Sequence, residues 1–465
     1  MDTIKLQARI RRGVVQLRQQ FAQSGNGVFD AAFPIDETVR LIEEEMPDGR
    51  DRLYPPLTTL RLFIGQALSE DHACQDVVGR YLSERIAAGL PASSLNTGGY
   101  CQARERLPLL LPQRLCQITG QRLETLMPAA WRWHGRRVMI FDGTTVSMPD
   151  TDDNQADYPQ SREQAPGLGF PIARLGGLIG LSSGAVVGFA IAPCVGKGSG
   201  EQSLLRDLLP VLEHGDILLA DALLATWWLI AGAQRQGADV VMMQHGCRIS
   251  DFAQGERLGD KDHIVTWLKP PRQGRMSPAE YQAWPPFLRM REVEVNGRVL
   301  VTTLLDSRMV TAHELGALYG LRWNIEVDWR TIKVTMEMDV LRCHTPDLVR
   351  KEIAVHLLAY NLVRWCMATS AYFAEVLPRT LSFAGAKRVL AIFADELRHC
   401  YGKRLSVMFS TVLGTIATLK LPQRPGRVEP RAKKRRPKPL PLLTVPRQQA
   451  RQEILMKQAY FGLSK

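Results

Sequence analysis

Apolar residues recur at three- and four-residue spacing through LTTLRLFIGQAL and VVGRYLSERIAAGL, with turn signals such as LPASSLNTGG. That period predicts a helical bundle over residues 1–130. Within it, residues 77–90 and 100–107 could form a helix-turn-helix entering a groove of DNA. An ordinary packed helix pair is the simpler reading. At Arg136 the pattern changes: RRVMIFDGTTVSMP offers a buried run at 138–141, a glycine turn and then an alternating segment, which is strand chemistry. RLGGLIGLSSGAVVGFAIAP reads as two strands joined at Ser-Ser-Gly, EQSLLRDLLPVLE as an amphipathic helix, and DILLAD as a short buried strand. ATWWLIAGAQRQG reads as a helix and ADVVMMQH as a strand. Three meandering strands followed by alternating helices and strands specify a mixed α/β sheet.

Between about 246 and 305 the chain turns β-rich, and the Asn296-Gly297 pair between two β-rich runs is a strong hairpin signal. A long helix is expected from Thr311 through LGALYGLRWNIEVDWRTIKVTM, with further helices after it, including IAVHLLAYNLVRWCM. The expected divisions are 1–130, 131–245, 246–305, 306–375 and 376–465. Residues 422–446 hold seven prolines, which excludes continuous helix and predicts an extended arm.

Charge sharpens this picture. The chain of 465 residues carries 59 Lys+Arg against 47 Asp+Glu, a net +12. Residues 420–457 hold twelve basic residues and two acidic ones, so most of the excess sits in one tail centred on Lys433, Lys434, Arg435 and Arg436. Such a tail suits a polyanion, most simply nucleic acid; a merely solvated basic tail is the bland alternative. The eight cysteines are scattered without zinc-ligand spacing, so a reduced, cytoplasmic chain is expected. The start lacks the apolar core of a secretory signal. The most apolar stretch, 217–233, is interrupted by Asp221, whereas crossing a membrane needs ~20 apolar residues.

The candidate chemistry lies in the helix after Thr311. At about 100° per residue, Tyr319, Arg322, Glu326 and Lys333 fall within one stripe about 60° wide. Ile325, Trp329, Ile332 and Met336 form an adjoining apolar stripe, while Asp328 points about 180° away from it. A surface charge ladder would look similar. Two further carboxylates shift the balance: Asp142 follows the apolar run VMIF, and Asp221 follows ILLA. A carboxylate at the end of a buried strand needs a cation or donors, and two such ends met by a helix carboxylate would form a hard-oxygen site for Mg²⁺ or Mn²⁺.

FDGTTVSMPDT, LLADALLATWW and YGLRWNIEVDWRTIK together resemble the three acidic motifs of the DDE transposases of bacterial insertion sequences. The similarity is to insertion-sequence family four, whose Tyr-x2-Arg-x3-Glu-x6-Lys signature is matched by Tyr319, Arg322, Glu326 and Lys333. The Cys101–Arg106 and Ala359–Leu362 stretches share the resemblance; Ala222-Leu223-Leu224 after the second motif departs from the Gly, Arg or aromatic of many relatives. The resemblance implies an RNase H-like core interrupted by the β-rich insertion. It implies that Asp142, Asp221 and Glu326 hold two divalent ions for in-line attack on a phosphodiester. It also implies that Tyr319 and Arg322 hold the DNA end, that Lys333 contacts its backbone, and that a homodimer assembles on transposon ends and target DNA near the nucleoid. A retained, non-catalytic DNA-binding protein on the same scaffold is the alternative.

Rival signals are weaker. Gly180–Gly184 matches the Gly-x-Ser-x-Gly nucleophile elbow, but a strand rather than a helix should follow. Residues 196–200, GKGSG, lack phosphate-loop spacing. His313-Glu314 reads as a helix start, and Asp150, Asp152, Asp153 and Asp157 as a solvated acidic loop.

Overall fold

The computed structural model describes residues 35–46, 53–274, 276–400, 402–422 and 443–460. Among the described residues five helices precede the sheet: α1 (Ile35–Glu45), α2 (Pro56–Leu68), α3 (Cys74–Ala87), α4 (Gly98–Arg106) and α5 (Leu110–Leu126). A nine-stranded sheet follows, ordered β3-β2-β1-β4-β5-β9-β8-β7-β6. Its first strands are β1 (Val138–Ser147), β2 (Ile172–Gly180), β3 (Val186–Pro193), β4 (Ile217–Ala220) and β5 (Asp239–Met243). β1, β2 and β3 form an antiparallel meander, while β4 and β5 run parallel to β1.

Segment 246–305 supplies β6 (Glu256–Gly259), β7 (Asp262–Leu268), β8 (Phe287–Val295) and β9 (Arg298–Thr302). These strands do not stand apart. β9 pairs antiparallel with β5, Val241 opposite Thr302, so they extend the same sheet. The β8–β9 turn has Asn296 and Gly297 both at positive φ, the left-handed pair that Asn-Gly favours.

Side chains alternate across the strands, and both faces are buried. Val138 and Ile140, with Ile217, Leu219 and Val241, join a core built with α5 and with α12 (Pro346–Phe373). Met139, Phe141, Leu218, Ala220 and Val240 face the opposite core, beneath α7 (Glu201–Leu208) and α8 (Trp227–Arg235). α5 lies close on the sheet: a Cβ at Gly120 would meet the Val186 carbonyl oxygen at 2.0 Å. Asn361 of α12 locks that approach, accepting from the Val186 N–H at 2.8 Å and donating to the Cys116 and Val186 carbonyls.

Three expectations need correction. Gly143 is no turn: β1 runs through it because β2 pairs with the strand to its end. The long helix after Thr311 is broken into α10 (Ala312–Gly320), a 3₁₀ turn Leu321–Trp323, α11 (Asn324–Arg330) and a π turn Thr331–Thr335. Its backbone stays right-handed helical, so the breaks alter pitch more than direction. Finally, the acidic residues after β1 are ordered as α6 (Asp152–Asp157), capped by Thr151 and tied to α12 by the Asp157–Arg350 ion pair. Among the described residues no helix is long and apolar enough to cross a membrane.

Candidate active site

Asp142 and Asp221 are placed by strand alternation. Asp142 continues the Val138, Ile140 row on one face of β1, and Asp221 continues the Ile217, Leu219 row of β4. The parallel register sets Ile140 beside Leu219, so one further step along each row turns Asp142 and Asp221 to the same face of the sheet. Beyond Ala220 the chain leaves the sheet. Asp221 is extended and caps the 3₁₀ turn Ala222–Leu224, its Oδ1 accepting the Leu223 N–H at 3.0 Å. Asp142 stays within β1, with Oδ1 accepting from the Gly143 N–H at 2.9 Å.

The helical segment covers this face. The apolar stripe is buried as the spacing predicts: Ile325, Trp329, Ile332 and Met336 are at most 4% exposed. Glu326, in the first turn of α11, reaches the same space as Asp142. The Arg322 guanidinium stands between them, Nη2 lying 3.3 Å from Glu326 Oε1 and Nη1 3.9 Å from Asp142 Oδ2. The two carboxylates therefore face one guanidinium from opposite sides of its fork. Tyr319 is half-buried at the end of α10, and Lys333 sits in the π turn, a helix irregularity frequent at functional sites.

Asp328, the other carboxylate of α11, is fully buried and points away. Oδ1 accepts from Arg364 Nη2 at 2.6 Å and from the Tyr360 hydroxyl at 3.1 Å, and Oδ2 accepts from Arg379 Nη2 at 2.9 Å. Arg379 also donates to the Gly180 and Leu181 carbonyls. Asp328 thus anchors α11 to α12 and to the β2–β3 turn.

Burial pushes the Asp142 carboxyl up to about 6; the charges of Glu201 and Asp221 add to this, while the Gly143 N–H and Arg322 oppose it. Burial likewise raises Glu201, with Asp221 adding and Arg174 opposing. Burial raises the Tyr319 phenol as well, Asp221 again adding and Arg322 and Arg298 opposing. Asp221 perturbs all three groups, which sets it among them.

Glu201 was not among the sequence-derived candidates. As the first residue of an amphipathic helix it reads as an ordinary dipole-favoured acid. Only the strand pairing that brings Gly143 beneath it marks it out.

The donors are hard oxygens, the chemistry that a divalent cation such as Mg²⁺ or Mn²⁺ takes, but their arrangement does not close around an ion. Among the described residues no three carboxylate, imidazole or thiolate groups stand close enough to coordinate one ion; the Arg322 guanidinium stands between Asp142 and Glu326 instead. Lys433, Lys434, Arg435 and Arg436 lie outside the described residues. In the N-terminal pair, α4 buries Tyr100 and Arg104, and residues 88–97 separate α3 from α4 where a helix-turn-helix has a turn of about three or four. This is a packed pair. The Gly180–Gly184 turn joins two strands, and Ser183 is buried, donating to Glu124, so it is no nucleophile elbow. Glu314 closes a capping box with Thr311 and faces His134 at 3.2 Å.

Residues 133–362 match the family model "Transposase DDE domain". The transposase InsG of insertion sequence element IS4 from Escherichia coli K12 is 27% identical over 403 residues, 83% of this chain and 87% of that one. The transposase for insertion sequence element IS421 from Escherichia coli is 34% identical over 71 residues, 15% of this chain and 19% of that one. Among solved structures, the piggyBac transposase synaptic complex with hairpin DNA aligns with 90% of this chain and 87% of that one, at 8% identity and a TM-score of 0.40.

Proposed function

Since the chain is a DDE transposase of the insertion-sequence IS4 family, we propose that Asp142, Asp221 and Glu326 are its catalytic carboxylates. The observation that carries this reading is the placement of Asp142 and Asp221 on one sheet face beneath the helix presenting Glu326, with Arg322 bridging Asp142 and Glu326. The strand order β3-β2-β1-β4-β5, antiparallel on one side of β1 and parallel on the other, supports an RNase H-like core.

The three carboxylates would hold Mg²⁺ or Mn²⁺, most simply two ions, which when bound polarise a phosphodiester and its attacking oxygen. The remaining work falls to the chain's own groups. Asp142 and Asp221 are fixed by backbone hydrogen bonds, so their oxygens keep a set direction. Arg322 neutralises Asp142 and Glu326 before a cation arrives; released from them, its planar fork suits bidentate capture of the phosphate at the DNA end. The Tyr319 phenol stays protonated at neutral pH and can donate to the same phosphate. Lys333 adds a point charge toward the DNA backbone, and the basic tail supplies sequence-independent attraction to the same polyanion. The substrate is double-stranded DNA at element ends and at the target, bound by a homodimer, with base readout assigned to the N-terminal helices.

Incubating the full-length protein with a fragment carrying the element's termini and Mg²⁺, then mapping the ends, tests this reading. Asp142→Ala and Glu326→Ala should each abolish strand cleavage while end binding stays within about tenfold, roughly 1.4 kcal/mol. Cleavage by either variant would overturn the assignment. Loss of end binding in both would favour a DNA-binding protein in which these side chains are structural.

A further inference from the structure

We propose that Lys387 is a positioning residue for Lys333, clamping the far end of the π turn from a helix that lies beyond the transposase-domain match. The inference rests on the reading of Lys333 as a contact to the DNA backbone and extends it to a residue that acts on DNA only through that turn.

A π turn is uncommon, and this one is weakly closed by its own backbone. The Met336 N–H reaches the Thr331 carbonyl at 3.1 Å, but the Met338 and Asp339 N–H groups reach the Ile332 and Lys333 carbonyls only at 3.4 and 3.3 Å, both longer than usual. Directly after the turn, Glu337 takes a left-handed φ of 54°, which costs a non-glycine residue free energy. Strand β1 holds the chain only past that point: the Ser147 N–H donates to the Asp339 carbonyl at 3.0 Å, and the Leu341 N–H donates to the Ser147 carbonyl at 2.8 Å. Asp328 fixes the helix before the turn. The turn itself lies between these two anchors.

Lys387 fills that interval. It stands on α13 (Phe383–Ile392), and its Nζ donates to the carbonyl of Thr335, the last residue of the turn, at 3.1 Å. A cation suits this end, because the final carbonyls of a helical segment carry its negative pole. Burial lowers the pKa of the half-buried Lys387 ammonium, and the Glu337 and Glu70 carboxylates oppose that shift. The strained residue after the turn therefore supplies counter-charge to the clamp. The base of the clamp is firm, since Ala386 is fully buried and Ser382 caps the helix by accepting the Gly385 N–H at 3.1 Å. Lys333 precedes the clamped carbonyl by two residues. Its long stem loses rotamer freedom on reaching a phosphate, and a fixed backbone beneath it keeps that loss small.

Lys387 also carries a charge that could attract DNA directly, so the test couples it to Lys333. Affinity of the full-length protein for a duplex carrying the element's termini is measured at fixed salt, in chelator so that no strand is cut. Lys333→Ala and Lys387→Met should each weaken binding about tenfold, the scale of one charged hydrogen bond, and the double variant should bind no more weakly than Lys333→Ala alone. Lys387→Arg, which can still donate to the carbonyl, should keep wild-type affinity. Additive losses in the double variant, or a full loss with Lys387→Arg, would overturn the proposal. Wild-type affinity in Lys333→Ala would sink the reading of Lys333 and this inference with it, whereas wild-type affinity in Lys387→Met alone would sink only the clamp. Amide exchange without DNA gives a second measurement: Lys387→Met should speed exchange at Met336, Met338 and Asp339 and leave Leu341 protected. Unchanged exchange at all four, or deprotection spreading through β1 and α12, would count against a local clamp and overturn it.

Discussion

Replacing Asp328 by Asn removes one negative charge from a fully buried cluster and leaves the shape nearly intact. In the native protein that carboxylate accepts from Arg364, Tyr360 and Arg379, and both guanidiniums are at most 17% exposed. With a neutral amide between them, two buried cations face each other with no counter-charge. One amide oxygen can still accept a single guanidinium, and the amide nitrogen is turned toward donors. Breaking a buried pair by removing one partner costs about 3–5 kcal/mol. Because one hydrogen bond survives, a value near 3 kcal/mol is expected for Asp328→Asn. Urea unfolding followed by tryptophan fluorescence in chelator measures it. The double variant Asp328→Asn/Arg379→Met should lose less than the sum of its single changes, since the second removes the cation stranded by the first. The cluster also ties α11 to α12, so strand cleavage should fall even where the variant is fully folded, because Glu326 loses its fixed position. A loss under about 1 kcal/mol, or strict additivity in the double variant, would refute the idea that this cluster anchors α11.

Other outcomes follow from the same geometry. The Asp142 carboxyl, raised to about 6, favours its neutral form in the fold, so its stabilising contribution is complete below about pH 4 and is lost as pH rises through about 6. Metal-free Asp142→Asn should therefore be more stable than wild type at pH 8, by up to about 3 kcal/mol, with the gap closing near pH 4 in parallel melts. Gly177 lies opposite Asp142, and a Cβ there would meet the Trp329 ring at 2.6 Å. Gly177→Ala should push α11 off the sheet and lower the cleavage rate by about 10²-fold, the scale of an ångström misplacement, as single-turnover assays would show. Deleting residues after Lys420 should weaken binding to all DNA sequences alike and flatten the dependence of log K on log[salt]; an unchanged slope would show that the tail does not contact DNA.

Much of the sheet was legible because burial on both faces leaves unbroken apolar runs, as in ILLA and VMIF, and because Asn-Gly fixes a hairpin locally. The side chains of α11 and the π turn after it followed helical spacing closely enough that Ile325, Trp329 and Ile332 are buried and Asp328 points away. What escaped depends on contacts between distant segments. Gly143 looked like a turn because glycine usually breaks a strand, yet β2 holds it in register and the missing side chain makes room for Glu201. The acidic residues after β1 are exposed as expected, but they looked like a loop because nothing local shows the helix that Thr151 caps or Arg350 waiting on α12. The 3₁₀ and π turns around Glu326 were invisible to a uniform 100° wheel, since they answer to what the helix must meet at either end.

α12 runs for 28 residues and is buried along most of its length. It is sheathed by α2 and α5 from before the first strand and by α13 (Phe383–Ile392) and α15 (Gly402–Thr418) from after it. A polypeptide trimmed to the transposase-domain match at 133–362 would end inside this helix and strip both wrappings from what remained. Leu348, Val349, Ile353 and Leu357 would then meet water, so that fragment would aggregate rather than behave as a free-standing enzyme. The sheet that carries Asp142 and the helices before and after it share one spine and have to be inherited, expressed and engineered together.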